Sequence, residues 1–197
     1  VPHPLDPRRF RAYWRRREIL DLYTFPVHGP GPAADTSRSL EDATAEVLDL
    51  MREAYPKDFN ARKHQLLLDR LTHPADRTLI IRDEHGEACG YCHITDENTE
   101  NARIRLPIKV SARQAYLWDD QVFARHRRRG LHAFSIARRL ELLAEQGRTE
   151  ALTIISRPNE ASRRSYGAFG LRRRRVLIYL PALKRTFSVP ATRTVPD

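Results

Sequence analysis

Residues 115–156 constrain the fold of this chain more than any other stretch. Ala115 to Phe123 carries Tyr116, Leu117, Trp118, Val122 and Phe123 and reads as a strand. It runs through Arg125-His126-Arg127-Arg128-Arg129-Gly130 into a helix from Leu131 to about Gln146. In that helix Ala133, Ala137, Leu140 and Ala144 recur at helical spacing, and Phe134, Ile136 and Leu143 widen the stripe. Gly147 stands where a helix C-terminal cap is expected, and Ala151 to Ser156 is an apolar strand stopped by Pro158. Strand, basic turn, helix and strand form a βαβ unit, so the two strands run parallel with a right-handed crossover. That excludes a helical bundle and a sandwich, and predicts an α/β (α+β mixed) layered domain.

The remaining elements are read on the same terms. Residues 1–18 are rich in Pro and Arg, with Phe10, Tyr13 and Trp14 on one helical stripe. Ile19 to Val27 alternates loosely and contains Pro26, which predicts an edge strand. Ser39 is expected to cap a helix through about Ala54, with Leu40, Ala43, Val47, Leu50 and Met51 at helical spacing. A second helix covers Ala61 to Leu71, with Leu66, Leu67 and Leu71 inward. Thr78 to Ile81 and Ala88 to Thr95 are the arms of a hairpin turning at residues 83–86. Asp96 to Arg103 reads as loop, and Ile104 to Val110 as a strand broken by Pro107. Asn159 caps a helix ending near Gly170, Arg174 to Leu180 is a last strand, and the tail from Ser188 is expected to be loose. A chain of 197 residues suits one domain. The expected division is a basic extension with the first strand (1–38), a main domain (39–187) and a tail (188–197).

The basic turn is the chemically informative feature. A helix N-terminus presents unpaired N–H groups and the positive end of the dipole, and a glycine there lets an anion approach closely. Arg125, Arg127, Arg128 and Arg129 add countercharge. The segment lacks the Gly-Lys-Ser/Thr ending of a nucleotide P-loop and the three glycines of a dinucleotide fingerprint, so the residues alone point to a phosphate or pyrophosphate ligand. The formal net charge of +10 favours anionic partners, although an Arg- and Ala-rich composition is also what a high-G+C genome produces. Cys89 and Cys92 have Cys-x-x-Cys spacing but lie in a strand, not at a helix start, and no second pair completes a zinc site. They read as small buried residues, and no metal is expected.

Val122-Phe123-Ala124-Arg125-His126-Arg127-Arg128-Arg129-Gly130-Leu131-His132 resembles the cofactor-binding signature of the GNAT (general control-related N-acetyltransferase) acyltransferases. That signature is a strand ending in Val, then Arg/Gln-x-x-Gly-x-Gly/Ala opening a helix. Arg127 matches its first position and Gly130 its central glycine, while His132 replaces the final Gly or Ala and is expected to crowd the pyrophosphate pocket. Asn159-Glu160-Ala161-Ser162 through Tyr166 to Gly170-Leu171 is similar to the family's Asn-x-x-Ser/Ala…Tyr-x-x-x-Gly-Phe segment. The resemblance implies the GNAT fold, a central mixed twisted sheet flanked by helices, and an acetyl-CoA or other acyl-CoA cofactor. Its pyrophosphate would be held by backbone amides around Arg128 to Ala133, and its pantetheine arm by the strand at Val122 and Phe123. Asn159, Ser162 and Tyr166 would line the same ligand, with Tyr166 as proton donor to the leaving thiolate.

Aminolysis of a thioester also needs a base and oxyanion donors. Asp119 and Asp120 are candidate bases, sent to opposite faces by strand geometry, and His93 is a third. An ordinary Asp titrates near ~3.9 and needs burial or like charge to serve as a base. Asp96, Glu97 and Glu100 lie in a segment expected to shape or cover the acceptor pocket and to attract a cationic amine. The expected acceptor is a primary amine of a small molecule or peptide. A protein acetyltransferase, a basic RNA- or DNA-binding module and a silent acyl-CoA sensor stay open as alternatives. Val1-Pro2-His3-Pro4 lacks a Met and the apolar core of a secretory signal, and no apolar run spans a bilayer. A cytoplasmic monomer or homodimer without membrane attachment is therefore expected.

Overall fold

The computed structural model describes residue 14 and residues 16–191. Phe10 and Tyr13, two members of the expected N-terminal stripe, lie outside the described residues. Ten strands and four helices follow from there: β1 (Glu18–Pro26), β2 (Ser39–Asp42), α1 (Ala45–Ala54), α2 (Ala61–Leu71), β3 (Asp76–Arg82), β4 (Ala88–Thr95), β5 (Thr99–Asn101), β6 (Leu106–Ile108), β7 (Gln114–Val122), α3 (Leu131–Glu145), β8 (Glu150–Ser156), α4 (Glu160–Gly167), β9 (Arg172–Leu180) and β10 (Arg185–Pro190). Eight strands make one mixed sheet in the order β10-β9-β1-β8-β7-β4-β3-β2, and β5 and β6 form a separate hairpin. Among the described residues no helix is long and apolar enough to cross a membrane.

The predicted parallel pair is present between β7 and β8, but only at Gln114↔Glu150, Ala115↔Ala151 and Tyr116↔Leu152. Beyond Tyr116 and Leu152 the strands are no longer paired, so their inner edges keep free backbone groups in the middle of the sheet. This parting carries the site described below. On the other side β7 is held to β4, where Gly90 lies against the partner strand: a Cβ there would stand 2.1 Å from the Gln121 carbonyl oxygen.

Two core layers sandwich the sheet. Leu131, Phe134, Ile136, Ala137, Leu140 and Leu143 of α3 pack with Tyr166 and Phe169 against Leu79, Ile81, Ile94, Ala115 and Leu117. On the opposite face Leu48, Met51 and Leu67 of α1 and α2 pack with Tyr55, Phe59, Ile80, Tyr91 and Phe123. That face is completed by the β5–β6 segment, whose Ile104 covers Leu20 and Leu177 and whose Ile108 covers Tyr116 and Leu152. Residues 96–113 therefore lie over the sheet, and Asp96 is paired with Arg148 at 2.8 Å instead of facing outward for a ligand.

Several sequence expectations are corrected. β1 is not an edge strand: it pairs antiparallel with both β8 and β9, and its closing Pro26 falls at the last rung. Leu20, Asp21, Thr24 and Phe25 are all buried, so the strand is covered on both faces and its alternation blurs. Ser39 belongs to β2, paired with Arg82, and the cap of α1 is Thr44, whose Oγ1 accepts from the Val47 amide at 3.3 Å. Leu50 and Leu66 point to solvent. Residues Ser188 to Pro190, expected in a loose tail, pair with β9 as the second half of β10. Thr99 to Asn101, expected as loop, is a short strand.

A central β1 has a direct consequence for stability. Leu20→Ala, at 1% exposure between Ile104 and Leu177, is expected to cost about 3 kcal/mol, whereas Phe187→Ala on the half-exposed edge strand β10 costs under ~1 kcal/mol. Urea unfolding of the two variants checks the difference.

Candidate active site

The turn between β7 and α3 is a short helical turn over Ala124–His126 followed by Arg127, Arg128 and Arg129. Arg128 (φ 64°) and Gly130 (φ 75°) both have left-handed backbones, which turns the chain sharply before the helix starts. The other three helices are capped by a side chain, from Thr44, Asn60 and Asn159, but Gly130 offers none to α3. Among the described residues no acceptor is present for the backbone N–H groups of residues 128–133; the first amide taken up is that of Phe134, by the Gly130 carbonyl at 2.9 Å. These amides, with the helix dipole behind them, have the chemistry that suits an anion.

The arginines of the turn do less of this work than expected. Arg125 is bonded to Glu87 and to the Tyr55 hydroxyl, Arg127 lies 3.7 Å from Asp58, and Arg129 bridges Glu84 and Asp83 at 2.7 and 3.3 Å. Arg128 alone has no carboxylate partner among the described residues. Arg129 also fills a gap beneath the turn where Asp83, Cys89 and His126 gather within 4.8 Å of one another. Its Nη1 lies 3.3 Å from both Asp83 Oδ2 and His126 Nδ1, so a guanidinium supplies the cation there. Cys89 and Cys92 are buried free thiols, each pushed up to about 12, first by burial.

Tyr166 and Asp120 meet where β7 and β8 part. The Tyr166 hydroxyl donates to Asp120 Oδ2 at 2.6 Å. Arg139 from α3, fully buried, donates to both oxygens of Asp120 at 2.8 Å, to the Tyr166 hydroxyl at 3.3 Å and to the carbonyls of Ser135 and His93 at 3.0 Å. His132 Nε2 completes the group 3.1 Å from Asp120 Oδ2, its ring edge-on to Tyr166 at 5.4 Å. The His132 ring, expected to crowd a pyrophosphate, thus turns inward toward Asp120 and Tyr166.

The electrostatics follow from these contacts. Burial alone would raise the Asp120 pKa, but the charge of Arg139 and the contact with His132 outweigh it and hold the carboxyl below its usual range. Asp120 is therefore a fixed anion, contacted by Arg139, Tyr166 and His132 at Oδ2 and by Arg139 alone at Oδ1, and its lowered pKa makes it a weak base. Burial first, then Asp120, raise the Tyr166 pKa, so its hydroxyl keeps its proton. The structure brings Asp120, His132 and Tyr166 together and sends Asp119 away. Asp119 sits at a bulge, with φ 48° and β7 out of register with β4 between Gln121 and Trp118, and it faces Lys63 and Arg70 of α2.

The other sequence-predicted residues divide by role. Val122 presents its carbonyl at the parting and already accepts from Arg127 Nε at 3.1 Å. Phe123 and Leu131 are buried in the two core layers, leaving only backbone for a ligand. Asn159 Oδ1 is committed to the Ser162 amide at 3.1 Å, so Asn159 and Ser162 start α4. Arg139 was not singled out in the sequence. Its signal was an Arg on the apolar face of α3, one turn beyond Ser135 and two beyond His132, a spacing that demands a buried anion opposite.

A mixed sheet parted at its central parallel pair, with the N-terminus of α3 beside the opening, defines the α/β fold of this chain. Residues 44–171, well over half of the chain, match the acetyltransferase (GNAT) family model, and the chain belongs to that family. Solved structures agree in fold. A GNAT-family protein from Novosphingobium aromaticivorans shares 17% identity over 90% of this chain and 66% of its own, with a TM-score of 0.55. A GCN5-related N-acetyltransferase from Sphaerobacter thermophilus shares 12% over 89% and 56%, with a TM-score of 0.57. A conserved Staphylococcus epidermidis protein of unknown function shares 7% over 90% and 69%, with a TM-score of 0.59. The chain spans 51% of the Drosophila protein it also matches, so it corresponds to about half to two thirds of such relatives. No curated protein sequence matches it.

Two outcomes are expected. Asp120→Asn leaves Arg139 buried without its anion and costs about 3–5 kcal/mol of stability in a denaturant titration, whereas loss of a mere catalytic base would leave stability unchanged. His93 is fully buried and held down to about 3, first by burial and then by Arg70. The unfolded chain therefore binds the extra proton between that value and about 6.5, and stability, complete above that range, falls as the pH drops. From pH 6.5 to 5 the loss is about 2 kcal/mol, and His93→Gln flattens the slope.

Proposed function

We propose that the protein is an acyl-CoA-dependent N-acyltransferase that moves an acetyl group from acetyl-CoA to a primary amine of a small molecule or peptide. The observation that carries this reading is the row of unpaired amides at residues 128–133 opening beside the unpaired edge of β7, with the Tyr166 hydroxyl at the same parting. A pyrophosphate needs several converging N–H donors, and an extended amide-bearing arm needs a strand edge to pair with. Both are present and adjoining, so the residues fit the cofactor. The amides of residues 128–133 and the Arg128 side chain would hold the phosphates, and the backbone around Val122 would hold the arm.

When bound, an acyl-CoA supplies an acyl group activated as a thioester. Tyr166, protonated at neutral pH, is the group that can return a proton to the departing sulfur. Arg139 and Asp120 fix the position of that hydroxyl from one side and His132 from the other. Free backbone donors at the β7 edge are suited to polarising the thioester carbonyl.

Calorimetric titration with acetyl-CoA, using ATP as the anion control, tests the cofactor. Saturable binding well above ATP is expected, and Gly130→Glu, which puts a carboxylate and a strained φ among the amides, should abolish it. Equal weak binding of both ligands would reduce the turn to a general anion site. Tyr166→Phe should lower kcat by at least ~10²-fold while KM for acetyl-CoA changes little, read from release of free thiol.

A further inference from the structure

Behind Asp120 and Tyr166, on the opposite face of β7, lies a group of side chains that neither the core nor the cofactor reading uses. Lys63 Nζ donates to both oxygens of Asp119 at 3.1 and 3.2 Å, and Arg70 Nη1 donates to Oδ2 at 2.5 Å. Two cations therefore share one carboxylate. Arg70 also lies over the Trp118 indole, 4.2 Å from its centroid, and its Nη1 is 3.0 Å from His93 Nε2. A guanidinium only donates, so Nε2 must accept and the ring proton resides on Nδ1. That Nδ1 is buried and has no partner, and the His93 ring, neutral through burial and Arg70, keeps its proton there at any ordinary pH.

The inventory is one-sided. Lys63 and Arg70 bring more N–H donors than the single carboxylate of Asp119 can take up, and the three groups together leave one net positive charge. Lys63 and Asp119 keep about a quarter of their side-chain surface exposed and Arg70 about an eighth, so an incoming oxygen can reach them. The bulge at Asp119 places the group on the stretch of β7 that no longer pairs with β8, back to back with the Tyr166 hydroxyl. Trp118 beside it offers an apolar wall, its ring stacked on Tyr116 at 5.9 Å.

We infer that Lys63 and Arg70, walled by Trp118 and with His93 buried behind Arg70, form a binding site for a carboxylate carried by the amine acceptor, so that the enzyme prefers acidic amines of the amino-acid type over cationic polyamines. The inference rests on the acyl-transfer reading for the identity of the ligand, and on the cluster alone for its charge. A diamine would bring a second cation against Lys63 and Arg70, and of the three acidic residues expected to attract one, Asp96, Glu97 and Glu100, the first is already paired with Arg148.

Three probes of one length separate the possibilities: 4-aminobutanoate, 4-aminobutanamide and 1,4-diaminobutane, whose far ends are anionic, neutral and cationic. The chain has two tryptophans, so Trp14→Phe leaves Trp118 as sole reporter of the cation stacked on it. Saturable change in Trp118 emission is expected with 4-aminobutanoate, at a concentration at least tenfold below that for the amide, with no response to the diamine. Lys63→Met, a partly exposed change at the start of α2 that should fold normally, and Arg70→Met should each weaken the response at least tenfold. The same order is expected in kcat/KM for acetyl transfer. No emission response to the acid, or an equal one to amide or diamine, overturns the inference. Equal transfer to all three amines also overturns it and leaves acyl transfer intact. An acid-specific emission response with no transfer to any probe leaves the anion site standing and removes the acyl-transfer reading.

Discussion

The bidentate pair between Asp120 and Arg139 is the contact on which the arrangement of the split depends. Arg139 is fully buried, and each of its nitrogens has a partner in β7, β4, α3 or α4. A buried charge is tolerated only when it is paired and hydrogen-bonded, so the geometry around it cannot drift without leaving a donor unsatisfied. Because the pair holds Tyr166 and His132 as well, α3 and α4 are fixed relative to β7 where β7 and β8 have stopped pairing. The sheet can therefore stay parted at its centre without closing or fraying.

The arginine surplus has a largely structural use. Around the α3 turn, Arg125, Arg127 and Arg129 each hold a carboxylate from a different part of the chain: Glu87 on the β3–β4 hairpin, Asp58 between α1 and α2, and Glu84 in the hairpin turn. These pairs are individually weak at the surface. Together they tie the turn to its surroundings and leave the backbone amides of residues 128–133 without an acceptor among the described residues. Amides fixed in place need no side-chain ordering when a ligand arrives, which suits a phosphate site better than mobile guanidiniums.

Strand β1 has a comparable role on the far side of the split. By pairing with β8 and β9 it carries the sheet past the parting, and Arg157 fixes its buried Asp21 at 3.0 and 3.1 Å. The β5–β6 segment then covers the same half of the sheet with Ile104 and Ile108. The two faces of β7 become different environments: a closed ionic network on one, and on the other a seam between α2 and the β5–β6 cover, where Asp119, Arg70 and Trp118 keep some access to solvent.

What the sequence determined by itself was whatever short-range chemistry encodes. The βαβ unit, the start of α3 at Gly130, the Asn159 cap and the hairpin of β3 and β4 were all legible, because each is specified by residues within one or two turns of one another. The candidate site was legible to the same extent: the basic turn before α3 and Tyr166 could be named from short motifs, and Tyr166 lies beside Asp120 where β7 and β8 part. Only the tertiary structure decided what depends on partners far along the chain. Pro26 and a blurred alternation suggested an edge, yet pairing with residues 150–156 and 172–179 made β1 central. Ser39 and Thr44 are equally good caps locally, and pairing of Ser39 with Arg82 chose between them. Asp119 and Asp120 look alike as neighbours in a strand. One became a fixed anion and the other part of a cationic cluster because Arg139 lies beneath the first and Lys63 and Arg70 beneath the second, and a charge is defined by what faces it across the fold.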